Sequence, residues 1–180
     1  MPSLHVWAEA GQPLRLVERS VAKGDPDPKA LACYGILVES VESDGQPLKE
    51  VWLRFVSGRP VSGLSMAFLE WSSSKLEALG KRVLLLVWDN ASWHISAQVR
   101  ASICEHNRRV KASGKGVRII ACLLPKKSPW LNLIEPRWIH GKRRVVEPNG
   151  LLTAQELIER VCAHFGCPHE EHLAIPEHVA

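Results

Sequence analysis

The chain has 180 residues, 46% hydrophobic and 23% charged, enough for one domain with a real core and unlike a low-complexity or fibrous protein. No apolar run approaches the roughly 18 residues of a membrane span, and MPSLHVWAEAG lacks the charged-then-apolar order of a signal peptide. A formal charge of +4 suits a polyanionic partner without requiring one, and five scattered cysteines read as reduced thiols of a cytoplasmic protein.

LHVWAEAGQPLRLVER reads as two short extended pieces around the turn Ala10-Gly11-Gln12-Pro13. GDPDPK, Gly24 to Lys29, is a loop, because its prolines forbid regular structure. Ala30 to Ser40 is a strand candidate and Ser43 to Pro47 a turn. Lys49 to Ser57 alternates Val51, Leu53 and Phe55 against Trp52, Arg54 and Val56, as the returning strand of a hairpin would. The period then lengthens. Leu64, Phe68, Trp71, Lys75, Leu76 and Leu79 recur at three- and four-residue spacings, which predicts a helix stopped by Gly80. VLLLVW, Val83 to Trp88, has no polar alternation and predicts a strand buried on both faces, with Asp89 directly behind it. A helix from about Ile95 to Lys111 and a strand from Gly116 to Leu124 follow. The loop Pro125 to Leu133 leads into a helix containing IEPRWIHGKRR. A last helix, TAQELIERVCAHF, opens on Thr153 with Glu156 three residues on, a capping-box spacing. CPHEEHLAIPEHVA ends as a loosely ordered tail. Hairpin, helix, strand, helix, strand, helix is the order of an α/β mixed sheet flanked by helices.

Two carboxylates draw attention in that frame. Asp89 ends one apolar strand, and Glu135 stands in the first turn of the helix after the other. If a helical crossover joins the strands as parallel neighbours, both acids sit at the C-terminal edge where open sheets place their ligands. Paired carboxylates suit hard divalent cations, Mg²⁺ or Mn²⁺, and two such ions can serve phosphoryl transfer. Lys126, Lys127, Arg137, Lys142, Arg143 and Arg144 lie close by in sequence and would neutralise phosphates. Taken singly, each residue also fits a blander role: Asp89 or Asn90 as a helix cap, His94 as a packed histidine, the basic residues as a solvated helix face.

VWDNASWH followed by LLPKKSPWLNLIEPRW resembles the D-N-x-x-x-H and L-P-x-x-S-P-x-L-N-x-I-E motifs of DDE-type transposases, and more narrowly the mariner-like insertion-sequence group with a ribonuclease H-like endonuclease domain. The resemblance runs from about His5 to at least Arg144. It implies that Asp89 and Glu135 are the second and third catalytic, metal-binding acids. It makes Asn90, His94, Pro129, Asn132 and Pro136 supporting positions. It also implies Mg²⁺ (or Mn²⁺) as cofactor and double-stranded DNA, at transposon ends and target sites, as substrate. The first acid of such enzymes lies on the central strand, ahead of a segment like HVWAEAGQPLRL. Only Met1 to Leu4 precede that segment here, and Glu9, Asp25, Asp27 and Asp44 lie on no apolar strand. The expectation is therefore a ribonuclease H-like domain over residues 1–165, lacking its first central strand and the family's N-terminal DNA-binding region, with a tail over 166–180.

A competing motif is CAHFGCPHEEH, with Cys162, His164, Cys167, His169 and His172 as zinc-type donors at a spacing that fits no usual zinc pattern. The sequence thus leaves three functions: a metal-dependent DNA-cleaving and strand-transferring enzyme, a catalytically dead remnant that only binds DNA or a partner, and a zinc-stabilised interaction domain. Self-association is left open.

Overall fold

The computed structural model describes residues 32–41, 45–56, 60–145 and 152–174. The two extended pieces and the GDPDPK loop expected ahead of Ala32 lie outside the described residues, as does the start of the turn expected at Ser43.

β1 (Ala32–Val41) and β2 (Pro47–Val56) form an antiparallel hairpin, with Ala32 opposite Val56 and Val41 opposite Pro47. β2 buries both of its faces. Trp52 and Val56 pack toward α1 (Ser62–Ala78), whereas Phe55 packs with Ile158 and Cys162 of α5 (Ala154–Phe165). Its apolar residues therefore serve two layers, one on either side of the hairpin. α1 buries Leu64, Phe68, Leu69 and Leu76, and the chain leaves it at Gly80 in the left-handed region (φ +71°), as its C-terminal stop requires. Leu79 is exposed despite its spacing.

β3 (Val83–Trp88) and β4 (Arg118–Leu123) pair in parallel, Leu84 against Ile119 and Trp88 against Leu123. The crossover between them breaks in two. A single turn, α2 (Ser92–Ile95), ends at Ser96, whose side chain then accepts from Val99 N to start α3 (Ala97–Ser113). Leu84, Leu86, Trp88, Val99, Val117 and Ile119 close a core with Leu69 and Leu76 of α1. α4 (Glu135–Val145) and α5 complete the chain, and the Thr153/Glu156 capping box forms with both of its hydrogen bonds.

The structure departs from the sequence expectation in three places. Among the described residues the strands make two two-stranded sheets, where one mixed sheet was expected. β3 is not buried on both faces: Leu84, Leu86 and Trp88 are buried while Val83, Leu85 and Val87 are about half exposed. A two-stranded sheet covered by helices on one side leaves its other side open, whatever the hydrophobicity of the residues there. The segment after α5, expected to be loose, docks instead: Leu173 N donates to Phe55 O at 2.7 Å, Leu173 bridges Val56 in parallel, and its side chain is buried. Among the described residues no helix is long and apolar enough to cross a membrane.

Candidate catalytic site

The parallel pairing of Trp88 with Leu123 makes both strands end at one sheet edge. Asp89 leaves that edge directly. From the other strand, Leu124 N donates back to Trp88 O at 2.9 Å before the chain departs toward α4. Asn90 was a candidate helix cap but does not act as one. Its Nδ2 donates to Leu124 O at 2.6 Å and fastens the ends of β3 and β4 together. The N-cap position of α2 falls to Ala91, which has no side-chain cap.

Asp89 is half exposed, and its Oδ1 has two partners. Ala91 N donates to it at 2.9 Å, the two-residue turn typical of Asp. His94 Nδ1 lies 2.8 Å away. An ionised carboxylate only accepts, so the imidazole donates from Nδ1. The ring is stacked on Trp88, with centroids 5.0 Å apart and planes at 13°, and stands edge-on to Trp93. His94 thus matches the packed, hydrogen-bonded histidine, and it orients the carboxylate.

Glu135 is the first residue of α4, half-buried, and its N–H donates to Asn132 O at 3.0 Å. The approach is a short turn, Pro129–Leu131, followed by Asn132 and Leu133. Asn132 and its neighbours Leu131, Leu133 and Ile134 line the same cavity as Asp89 and His94, about 470 Å³ in volume. α4 is held by Trp138, whose ring lies where a Cβ on Gly35 would meet it at 2.5 Å. Only glycine at that point of β1 lets the indole approach, so Gly35 helps set the height of the helix that carries Glu135. The lone glycine in an otherwise apolar strand was the signal in the sequence for such a close approach.

The basic residues do not form one row. Lys126 and Lys127 are exposed in the turn after β4, Lys127 at φ +61°. On α4, at about 100° per residue, Lys142 falls on the same side as Glu135, while Arg137 and Arg144 fall nearly opposite. Arg143 lies between.

Asp89 stands at this strand edge, whereas Glu135, at the start of α4, is not among the residues that line the cavity with it; carboxylate oxygens are the right donor chemistry for a hard cation. Among the described residues, however, no group of three or more His, Cys, Asp or Glu side chains is arranged to hold a metal ion. This applies to the Cys162–His172 cluster as well. Cys162 is buried with Phe55 and Ile158, and Cys33 and Cys167 pack against it. His169 and His172 lie against the Phe55 ring. Burial pushes the Cys33 and Cys167 thiols from their ordinary 9.0 up to about 12, with Cys162 adding to both. These thiols pack in the small hydrophobic cluster around Phe55 and Ile158.

No curated protein and no solved structure matches the chain. A model of the DDE superfamily endonucleases matches residues 62–158, from α1 into α5, and includes both Asp89 and Glu135. The match spans more than half of the 180 residues, and the chain belongs to the DDE superfamily endonuclease family.

Proposed function

We propose that this domain is the endonuclease part of a transposase of the mariner-like insertion-sequence type, with a ribonuclease H-like arrangement, acting on DNA strands at transposon ends. In this reading Asp89 and Glu135 are two of its catalytic acids. The observation that carries it is the parallel, adjacent pairing of β3 and β4, from whose common edge Asp89 and the loop to Glu135 both depart. The family match over the same residues supports it.

Asp89 and Glu135 would supply carboxylate oxygens to Mg²⁺ or Mn²⁺. When bound, such ions activate a water or hydroxyl nucleophile and stabilise the leaving oxygen of a phosphodiester. The chain's own contributions are positional. His94 fixes the Asp89 carboxylate, Asn90 locks the strand ends, and Asn132 closes the turn that presents Glu135. Lys126, Lys127 and Lys142 would draw the DNA backbone toward Glu135, with Arg143, Arg137 and Arg144 adding a more distant field. Such a protein would work in the cytoplasm, in association with DNA.

A second reading is a domain that binds DNA without cutting it; among the described residues no group of three or more His, Cys, Asp or Glu side chains could hold a metal ion. Nicking of supercoiled plasmid with Mn²⁺, compared between the wild type, Asp89→Asn and Glu135→Gln, separates the two. Nicking abolished by either substitution supports the enzyme. Salt-dependent binding without nicking supports the second reading.

A further inference from the structure

The charge of the chain is unevenly placed. Residues 81–118 hold eight Lys or Arg against two acids, Asp89 and Glu105, in a chain whose totals are 23 and 19, so acids outnumber bases in the remainder. Most of these cations gather where β3 and β4 begin, at the sheet edge opposite the one that carries Asp89. Arg82 precedes β3, Arg118 opens β4 across from Val83, and the loop between α3 and β4 brings in Lys115. Arg118 N donates to Arg82 O at 2.9 Å and ties the two strand starts together. Arg108 and Lys111 lie in the last two turns of α3, on the side away from the buried Val99. All five are exposed.

The backbone under these charges is fixed. Arg82 donates to Gly114 O at the end of α3. Ser113 Oγ accepts from Lys115 N at 3.2 Å and donates to Arg109 O at 2.9 Å. Gly114 and Gly116 both take the left-handed conformation, at φ +67° and +99°, and hold Lys115 between them in the turn. A Cβ on Gly114 would meet nothing within 4 Å among the described residues, so the turn is open to an approaching ligand. Helix ends draw basic side chains on their own account, because the last carbonyls carry partial negative charge. That accounts for Arg82 and fits Lys111 in the last turn, and Arg108 pairs with Glu105. It does not account for Lys115 and Arg118, which lie beyond the helix. The side chains of Lys111, Lys115 and Arg118 bond to no other described group. Like charges gathered at one edge repel, and a polyanion relieves that repulsion. The chain's own undescribed segments are not such a polyanion: residues 1–31 hold four acids and four bases, and no two acids are adjacent in any of those segments.

We propose that this edge is a second contact surface for duplex DNA, a strand's length, ~20 Å, from the edge that carries Asp89. Lys111, Lys115 and Arg118 meet phosphates of the backbone there. Such contacts position a duplex without reading its sequence. The choice of DNA over another polyanion rests on the proposed endonuclease function, whereas the surface itself rests on charge and backbone geometry.

The test follows binding of the full 180-residue chain to a duplex of about 20 base pairs and arbitrary sequence as salt is raised. One variant, Lys111→Gln with Lys115→Gln and Arg118→Gln, removes three exposed charges; a second, Lys111→Arg with Lys115→Arg, keeps them. The slope of log affinity against log salt should fall by at least about two in the first variant and stay unchanged in the second. A smaller fall in the first variant overturns the proposal. So does polyglutamate that binds the wild type more tightly than the duplex at equal charge and loses that advantage in the first variant, since the occupant would then be an acidic polypeptide. Lys142→Ala separates this proposal from the catalytic reading. A slope lowered by Lys142→Ala but not by the triple substitution overturns this proposal alone. A slope lowered by the triple substitution in a chain that does not nick plasmid with Mn²⁺ upholds it and overturns the catalytic reading. Absence of any duplex binding by the wild type overturns both.

Discussion

The imidazole of His94 stands 2.8 Å from Asp89 Oδ1 while its ring lies stacked on Trp88, the last residue of β3. One side chain thereby ties the candidate catalytic carboxylate to the hydrophobic core. His94→Ala removes both ties and is expected to cost about 1–2 kcal/mol, read as a lower urea midpoint. Asp89→Asn retains an oxygen that can accept from Ala91 N, so its stability should change by less than about 1 kcal/mol. A larger loss from Asp89→Asn than from His94→Ala would mean that the carboxylate is chiefly structural.

Gly35→Ala is the sharpest structural test. The added methyl would stand 2.5 Å from the Trp138 ring and 2.8 Å from Leu53 Cδ2. Overpacking of this kind costs about 1–3 kcal/mol. Because Trp138 and Glu135 share α4, the same substitution should weaken any cation binding that uses Glu135, whereas Gly45→Ala, which strains a backbone at φ +84° but meets no neighbour, should leave binding unchanged.

Much of this arrangement was legible in the sequence, for local reasons. The capping box, the Gly80 stop, the hairpin and the placement of Glu135 in a first helical turn all follow from residues a few positions apart. The parallel pairing of β3 with β4 followed from one topological rule about helical crossovers, and it sets Asp89 at the end of β3. What was not legible depended on distant partners. Nothing near Val83 to Trp88 tells whether one face or two will be covered. Nothing near Asn90 reveals that its amide reaches Leu124, 34 residues on. Leu173 sits in a polar stretch with no period, and only the free edge of β2 explains its burial.

The thiols give a pH prediction. Cys33 is pushed up to about 12 by burial first, then by Cys162 and Cys167; Cys167 is likewise pushed to about 12, by burial first and then by Cys162. The folded state therefore holds these protons more tightly than the unfolded state does. Their contribution to stability is complete below about pH 9 and is lost as pH rises toward 12. Under reducing conditions the urea midpoint should fall as pH rises from about 9 toward 12, and Cys33→Ala should flatten that fall. In native alkylation at about pH 8, the exposed Cys104 and Cys122 should react first, and Cys33, Cys162 and Cys167 only on unfolding.

For DNA, helical spacing separates the basic residues that the sequence groups together. Lys142→Ala, on the Glu135 side of α4, should lower the slope of log affinity against log salt by about one. Arg144→Ala, nearly opposite, should change it clearly less. Equal effects would mean that DNA does not approach from the Glu135 side.

The central claim is that Asp89 and Glu135 serve one cation site. Mn²⁺ binding to the wild-type chain, Asp89→Asn and Glu135→Gln, followed by the electron paramagnetic resonance signal of free Mn²⁺, tests it most directly. The account predicts weak binding, on the order of millimolar for a two-carboxylate site, lost in each single variant although each remains folded. Binding of equal strength in all three proteins would contradict it.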